Sequence, residues 1–139
     1  MAVLVLKDAY ISIGGTVLSD HSNSVTLNYE VDSVEITAFG DTAHKFTGGL
    51  QNNSCDVEFM QDFAVSPSNS VEAVLYPLVG TTTTVIIKPN GATTSSTNPA
   101  YTLTGTYLAA HTPVAGAVGE LAMTSVSFTG GTLAKSTTP

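Results

Sequence analysis

The sequence predicts a mainly β protein: short strands around one core, a single short amphipathic helix packed on that core, and a long loop thrown out between two strands. Three observations carry this. Apolar and polar residues alternate with period two over several short stretches, most cleanly where Val25, Leu27, Tyr29 and Val31 oppose Ser24, Thr26, Asn28 and Glu30. The run TTTTVIIK, ending at Lys88, is β-branched almost throughout. Only one stretch, from Ser66 to Gly80, has helical spacing.

Taken in order, Tyr10 to Ile13 alternates ahead of Gly14-Gly15, and Thr16, Val17 and Leu18 follow; this reads as two short strands joined by a glycine turn. A polar link, SDHSNS, leads to the strand holding Val25, whose wet side, with Asn28 and Glu30, faces solvent or a channel. Val34 and Ile36 continue as a strand with Glu35 and Thr37 opposite. The polar, glycine-punctuated run over 37–54 comes next. It is far longer than the roughly 2 to 5 residues of an ordinary hairpin connection, and loops of that length are usually functional or disordered. Its aromatics, Phe39 and Phe46, are flanked by Gly40 and by Gly48-Gly49. On a flexible arm they would anchor on a neighbouring molecule; folded back, they would cap their own core, and both readings stand.

Cys55, Val57 and Phe59 alternate with Asp56, Glu58 and Met60 in the next strand. For the helix, about 69–79, Asn69 is the expected N-cap with Glu72 three positions on. Val71, Val74, Leu75 and Leu78 share its apolar face, and Pro77 and Gly80 close it. Pro89-Asn90-Gly91 ends the β-branched strand, and a small-polar loop runs on to Tyr101. Tyr101, Leu103 and Tyr107 define a strand broken by Gly105 at a bulge or bend, and HTPVAGAVGE is a second flexible connection. Leu121, Met123, Val126 and Phe128 form the last strand, with a phase shift at Ser125 that points to another bulge. The tail GGTLAKSTTP is expected to be disordered in isolation. With no internal repeat and no linker, residues 1–139 read as one domain.

Charge is the informative part of the composition. Asp, Glu, Lys and Arg make up 11% of the chain, against roughly 25% in an average soluble domain. Thr, Ser and Asn must carry much of the solubility, and so few charges suit extensive subunit contact, because interface cores are depleted in charge. What remains is acidic: eleven Asp and Glu against four Lys and no Arg, a formal net charge of −7. Gripping phosphate needs Lys or Arg to release counterions, and base readout leans on Arg, which argues against tight nucleic-acid binding. An acidic surface instead suits a protein that lies close to DNA without adhering to it. The lone Cys55 can form no internal disulfide and suits a reducing compartment. MAVLVL is too short for a signal-peptide core and far short of the ~20 apolar residues of a membrane span, so membrane insertion is not expected.

No catalytic or metal-binding pattern stands out. His21, His44 and His111 lie far apart in polar loops, without metal-ligand spacing to one another or to Cys55, and read as solvated. Cys55 sits on the apolar face of its strand, where a buried inert thiol outweighs a thiol–base pair with His44 or His111. Asp56 and Glu58 share the outward strand face as a solvated edge, without a partner for a glycosidase dyad. Neither they nor Asp62 and Asp41 show calcium-loop spacing. TGG occurs twice, but neither copy precedes a helix, so a phosphate cradle is unsupported, and no cofactor is expected.

The run VEITAFGDTAHKFTGGLQNNSCDVEFMQDF, then VEAVLYPLVG, VIIKP, TNPAYTLTGTYL and VGELAMTSVSFTGGTLAKST, resembles the major tail tube proteins of long-tailed bacteriophages in pattern and element order over about residues 23–136. The resemblance implies a β-sandwich or barrel with a flanking helix, and a structural virion protein rather than an enzyme. It implies rings, typically of six subunits, stacked into a tube, with the 37–54 arm as the inter-ring contact through Phe39, Asp41, His44, Lys45, Phe46, Gly48 and Gly49. The implied partners are copies of the chain itself, a tape-measure protein enclosed during assembly, and other tail proteins. DNA would later pass through an acidic lumen without specific binding, with Asn28 and Glu30, or Thr102 and Thr104, as lumen-facing candidates. The expected location is the virion tail, assembled in the host cytoplasm. On the residues alone, an immunoglobulin-like binding or decoration domain using the same loops also stands, and a small enzyme built on Cys55 or His44 is the third class.

Overall fold

The computed structural model describes residues 4–63 and 70–139. Its strands are β1 (Tyr10–Ile13), β2 (Thr16–Val17), β3 (Ser22–Asn28), β4 (Val31–Glu35), β5 (Phe46–Gln51), β6 (Ser54–Met60), β7 (Thr82–Lys88), β8 (Ala100–Leu108), β9 (Met123–Thr129) and β10 (Thr132–Ser136). One helix, α1 (Val71–Leu75), runs into a 3-10 turn over Tyr76–Leu78. The pairing order is β2-β1-β7-β8-β9-β6-β3, with β10 also on β8, and β4-β5 stand apart as a ribbon of their own. All these pairs are antiparallel.

The sheet doubles over on β8. Its first half, through Thr104, pairs with β10, whereas Tyr107 and Leu108 pair with β9. Between the halves, Thr83 faces Thr106 while Thr84 faces Thr104, which leaves Gly105 over. That residue has φ +74, a left-handed conformation that glycine adopts without a Cβ penalty, so the bulge expected at Gly105 is there. The two half-sheets, β2-β1-β7-β8-β10 and β8-β9-β6-β3, share one core. Ile11, Ile13, Val85, Ile87 and Leu103 from the first meet Cys55, Val57, Phe59, Val126 and Phe128 from the second. In β6, β7 and β9 period-two alternation puts them there, whereas β1 buries Ser12 as well as Ile11 and Ile13.

At the helix the expected Asn69 cap lies outside the described residues. The cap seen is Ser70, whose Oγ accepts from the Ala73 amide at 3.2 Å. Val71 and Leu75 are buried and Val74 and Leu78 half-buried against the core, the face that the spacing gave.

Two expectations fail in the C-terminal third. The last strand has no bulge at Ser125: β9 pairs with β6 without a shift from Met123↔Met60 to Thr129↔Ser54. Thr124 is the inward residue in phase with Val126 and Phe128, its hydroxyl bonded to that of Thr112 at 3.0 Å, while Met123 lies on the opposite face. Reading the methionine as the core residue produced the false shift. The tail is also ordered, as β10, because β8 supplies its hydrogen bonds from a partner distant in sequence.

The turn from β9 into β10 is pressed against the β8 bulge. A Cβ on Gly131 would lie 2.7 Å from the Thr104 carbonyl oxygen and 3.0 Å from the Thr106 nitrogen, at φ +92. Gly131→Ala should therefore cost at least about 2 kcal/mol, from left-handed strain plus a backbone clash. Gly105→Ala, at φ +74 with open space around its Cβ, should cost only the strain, about 1–2 kcal/mol. Urea unfolding of depolymerised protein measures both, and equal losses would show that the corner is not crowded.

Candidate assembly surfaces

β3 and β6 continue past the end of the sandwich. Beyond Asn28 and Ser54 the chain becomes β4 and β5, which pair with each other from Val31↔Gln51 to Glu35↔Phe46. Much of the 37–54 run is therefore strand, and the irregular part is 36–45; Phe46, Gly48 and Gly49 belong to β5. The sequence FTGGLQ hid this because two glycines break its alternation.

Every residue from 28 to 52 is exposed except Asp41, which is half-buried within the tip. Phe39 is 110% exposed and Phe46 61%, so the aromatics do not fold back to cap the core. Val31, Val34, Ile36 and Leu50 are exposed along the same ribbon. A two-stranded ribbon with no covering layer is marginal in water, and this one also holds large apolar groups in solvent.

The paired glycines serve tightness rather than flexibility. A Cβ on Gly49 would meet Val34 Cγ2 at 3.0 Å and the Asp32 carbonyl oxygen at 3.3 Å, and one on Gly48 would meet Val31 Cγ1 at 3.3 Å. Their bare backbone lets the β4 valines lie across β5.

The base of the arm is held by Asn53, a residue the sequence reading passed over. It is 1% exposed. Its Oδ1 accepts from the Glu30 amide at 3.2 Å, and its Nδ2 donates to Gln51 Oε1 at 2.8 Å and to the Gly131 carbonyl at 3.1 Å. Its own carbonyl accepts from Gly130 N at 2.9 Å. The available signal was its phase: it falls two residues before Cys55, on the buried face.

Polar bonds organise the tip. The Asp41 carboxylate accepts from the Ala38 amide at 2.7 Å and from Lys45 Nζ at 3.0 Å. Glu35 Oε2 lies 2.6 Å from His44 Nδ1 and accepts from Thr37 Oγ1 at 2.9 Å, and Thr37 Oγ1 accepts in turn from the Lys45 amide. His44 and Phe46 stack obliquely, with centroids 6.5 Å apart. The predicted contact set, Phe39, Asp41, His44, Lys45 and Phe46, thus lies at one end of the ribbon, with Gly48 and Gly49 in its shaft.

The lumen candidates separate. Asn28 lies on the exposed face of the β3-β6-β9 half-sheet, with Ser24, Thr26, Asp56, Glu58 and Ser127. Thr102 and Thr104 lie on the other half-sheet, in register with Ile86 and Thr84 of β7. That half-sheet also carries Lys88, whose Nζ sits 4.5 Å from the centre of the Tyr10 ring. Glu30 falls past the end of β3, at the base of the arm. On the open side of the sandwich, a groove of about 440 Å³ is lined by Leu6, Leu27, Tyr29, Ile87, Tyr101 and Leu133 among others.

Two histidines differ from the solvated reading. His21 bridges Asp20, at 2.8 Å, and Asp62, at 3.0 Å. His111 is half-buried with its Nε2 3.4 Å from Gln61 Nε2, and burial pushes its pKa down against the opposing charge of Glu72. Cys55 is fully buried, and burial, with the neighbouring Asp56 charge, pushes its thiol up to about 12, so no thiolate is available as a nucleophile. Among the described residues no three His, Cys, Asp or Glu side chains cluster as a metal site, and no helix is long and apolar enough to cross a membrane.

No protein-family model matches the sequence, and no curated protein matches it either. Solved structures do match the fold. One is the sheath–tube complex of an extracellular contractile injection system in its extended state, at TM-score 0.66 and 10% identity, over 97% of this chain and 92% of that one. The sheath/tube terminator of that system matches at TM-score 0.69 and 10% identity, over 97% of both chains. A chain in the virion of a native gene transfer agent matches at 0.66 and 11%, over 93% of this chain and 95% of that one. What these likenesses define is the fold class: a mainly β domain folded like chains of a contractile injection system's sheath–tube complex and terminator and of a gene transfer agent virion, carrying an exposed hairpin arm.

Hydrogen bonding from His44 first and Thr37 second holds Glu35 below its ordinary 4.5, and the Ala38 amide and Lys45 hold Asp41 below its ordinary 3.8. Depressed carboxylates support the folded tip at neutral pH, and the support is lost as pH falls through and below those values. Exchange of the Ala38 and Lys45 amides, corrected for intrinsic rates, should stay slow at neutral pH and quicken in that acid range. Glu35→Gln should quicken exchange at Lys45 already at neutral pH; unchanged exchange in this variant would show that the carboxylate does not order the tip.

Proposed function

We propose that this chain is a structural, non-enzymatic subunit of a phage-type tail tube that assembles with copies of itself into stacked rings. The single observation that carries this is the arm, a ribbon of exposed apolar side chains, anchored rigidly at its base, that cannot bury its own surface. Six subunits per ring is the number the sequence resemblance implies. The likeness of fold to tube, terminator and gene-transfer-agent proteins supports the reading, as do the free outer edges of β2, β3 and β10, each paired on one side only among the described residues. Lateral closure of a ring would use the β3 edge and the apolar groove beside it.

The lumen in this reading is the β3-β6-β9 face. It presents small hydroxyl side chains with Asp56, Glu58 and no lysine, and its strands lead directly into the arm. Like charge keeps phosphate off that wall, so DNA slides through without specific binding. The lumen encloses a tape-measure protein during assembly in the host cytoplasm, and the mature location is the virion tail.

Electron microscopy of the purified protein is the test. Wild type should form rings or tubes, and a variant lacking residues 38–43, like Phe39→Asp, should give at most single rings. A monodisperse wild-type monomer at all concentrations would instead favour an immunoglobulin-like binding or decoration domain.

Tubes carrying Asp56→Lys and Glu58→Lys should assemble normally but retain duplex DNA in a salt-dependent manner, where wild-type tubes let it pass. Equal DNA retention by both would remove this face from the lumen.

A further inference from the structure

Gln61, the first residue past β6, is tied on three sides. Its backbone N donates to the Ala122 carbonyl at 2.9 Å, its Nε2 donates to the Pro113 carbonyl at 2.7 Å, and its Oε1 accepts from the Asp62 amide at 3.2 Å. The front and the back of the β8–β9 connection, residues 109–122, therefore hang on this one residue. The two side-chain bonds also fix which way the amide faces, because a carbonyl oxygen is met only by the NH2 group and a backbone N–H only by Oε1. His111 Nε2 lies 3.4 Å from that NH2 group. The NH2 group has no lone pair to offer, so Nε2 is the acceptor and the ring hydrogen sits on Nδ1. His111 is thereby held neutral, in one tautomer.

The other ring nitrogen, Nδ1, is buried and has no hydrogen-bond partner among the described residues. A second proton on this ring would go to Nε2 and set N–H against NH2, two donors face to face. It would also put a cation where Nδ1–H has no acceptor, an arrangement costly to bury. Gln61 cannot turn to relieve it without giving up both Pro113 and Asp62.

The elements around the ring bring little to offset this. Glu72 of α1 attracts the charged form, but burial outweighs it and pushes the pKa of His111 below its ordinary 6.5. Asp62 lies beyond Gln61 and engages His21 at 3.0 Å. Tyr76, on the 3-10 turn, lines the depression of about 520 Å³ beside the ring, with Pro77, Val79 and Pro113. Thr124 of β9, which meets Thr112 of the connection, is uncharged, and Glu120, the connection's own acid, is exposed.

We infer that His111 is an acid-operated latch on the β8–β9 connection. Neutral, it accepts from Gln61, and the front of the connection stays on the end of β6. Protonated, it turns out into the depression beside Tyr76, and the front of the connection lifts from Gln61 while the sandwich stays folded. The closed state favours the neutral ring, so the latch is fully engaged above the ordinary 6.5 of the released ring. It weakens as pH falls from there to the lowered value of the closed ring, by about tenfold in the closed-to-open ratio for each pH unit. The latch does not depend on the proposed assembly function.

Nuclear magnetic resonance of the unassembled subunit tests this. At neutral pH, long-range 1H–15N spectra should show His111 as the Nδ1–H tautomer, and Overhauser contacts should join the Gln61 side-chain amide to His111 and Pro113. As pH falls below 6.5 and the ring charges, those contacts should vanish, while the methyl signals of Val57 and Val126 in the core stay in place. His111→Gln, which keeps an acceptor but takes up no proton, should retain the contact between Gln61 and Pro113 over the same range. Gln61→Glu, which sets an acceptor opposite Nε2, should move the titration of His111 upward. An Nε2–H tautomer at neutral pH would overturn the inference. So would contacts that survive charging of the ring, an acid response that persists in His111→Gln, or an unmoved titration in Gln61→Glu.

Discussion

Where β6 emerges from the core, the buried amide of Asn53 holds together three pieces of chain that would otherwise be independent: the start of the arm at Glu30, its return at Gln51, and the β9–β10 corner at Gly130 and Gly131. An amide in an apolar interior must satisfy its donors and acceptor or lose their desolvation energy, of the order of 1–3 kcal/mol for each unsatisfied group. The requirement fixes the direction in which the ribbon leaves the sandwich. Without that anchor the ribbon would be a mobile hairpin and its apolar side chains an aggregation hazard. With it, they stand out from the sandwich in a fixed direction.

The same economy shapes the rest of the surface. A chain with 11% charged residues has few charges to place, and it places them unevenly. Glu30, Asp32, Glu35 and Asp41 lie on the arm against Lys45 alone, Lys7 lines a cavity with Asp20, and acids with small hydroxyl residues cover the β3-β6-β9 face. An interface core that excludes charge loses little to desolvation, whereas unlike charges at its rim set orientation.

The glycines illustrate how local geometry serves the packing. Gly105 lets β8 pass from one half-sheet to the other, Gly131 lets the next corner press against it, and Gly48 with Gly49 lets two valines lie flat across the ribbon. At Gly131, Gly48 and Gly49 a Cβ would press on a neighbouring backbone or valine, whereas Gly105 is needed for its positive φ alone, which Gly131 shares.

Sequence alone determined what depends on near neighbours. Period two gave the core face of β6 and, through Val25 and Leu27, that of β3; β-branched composition gave β7, helical spacing the buried face of α1, overall composition the scarcity and sign of charge, and an interrupted strand the bulge at Gly105. Where the partner is remote in the chain, the tertiary structure decided. The 37–54 run became mostly ribbon because β4 supplies the hydrogen bonds that FTGGLQ gives no sign of needing. The polar tail became β10 because β8 was waiting for it, and Thr124 rather than Met123 turned inward because β6 fixed the register. Asn53 was legible only as a polar residue in a buried phase, since its bonds go to Glu30, Gln51 and Gly131 and the last of these is distant in sequence. Alternation and spacing report which way a side chain points from its own backbone; which groups it then meets is set by how the sheet closes, and that is a property of the whole chain.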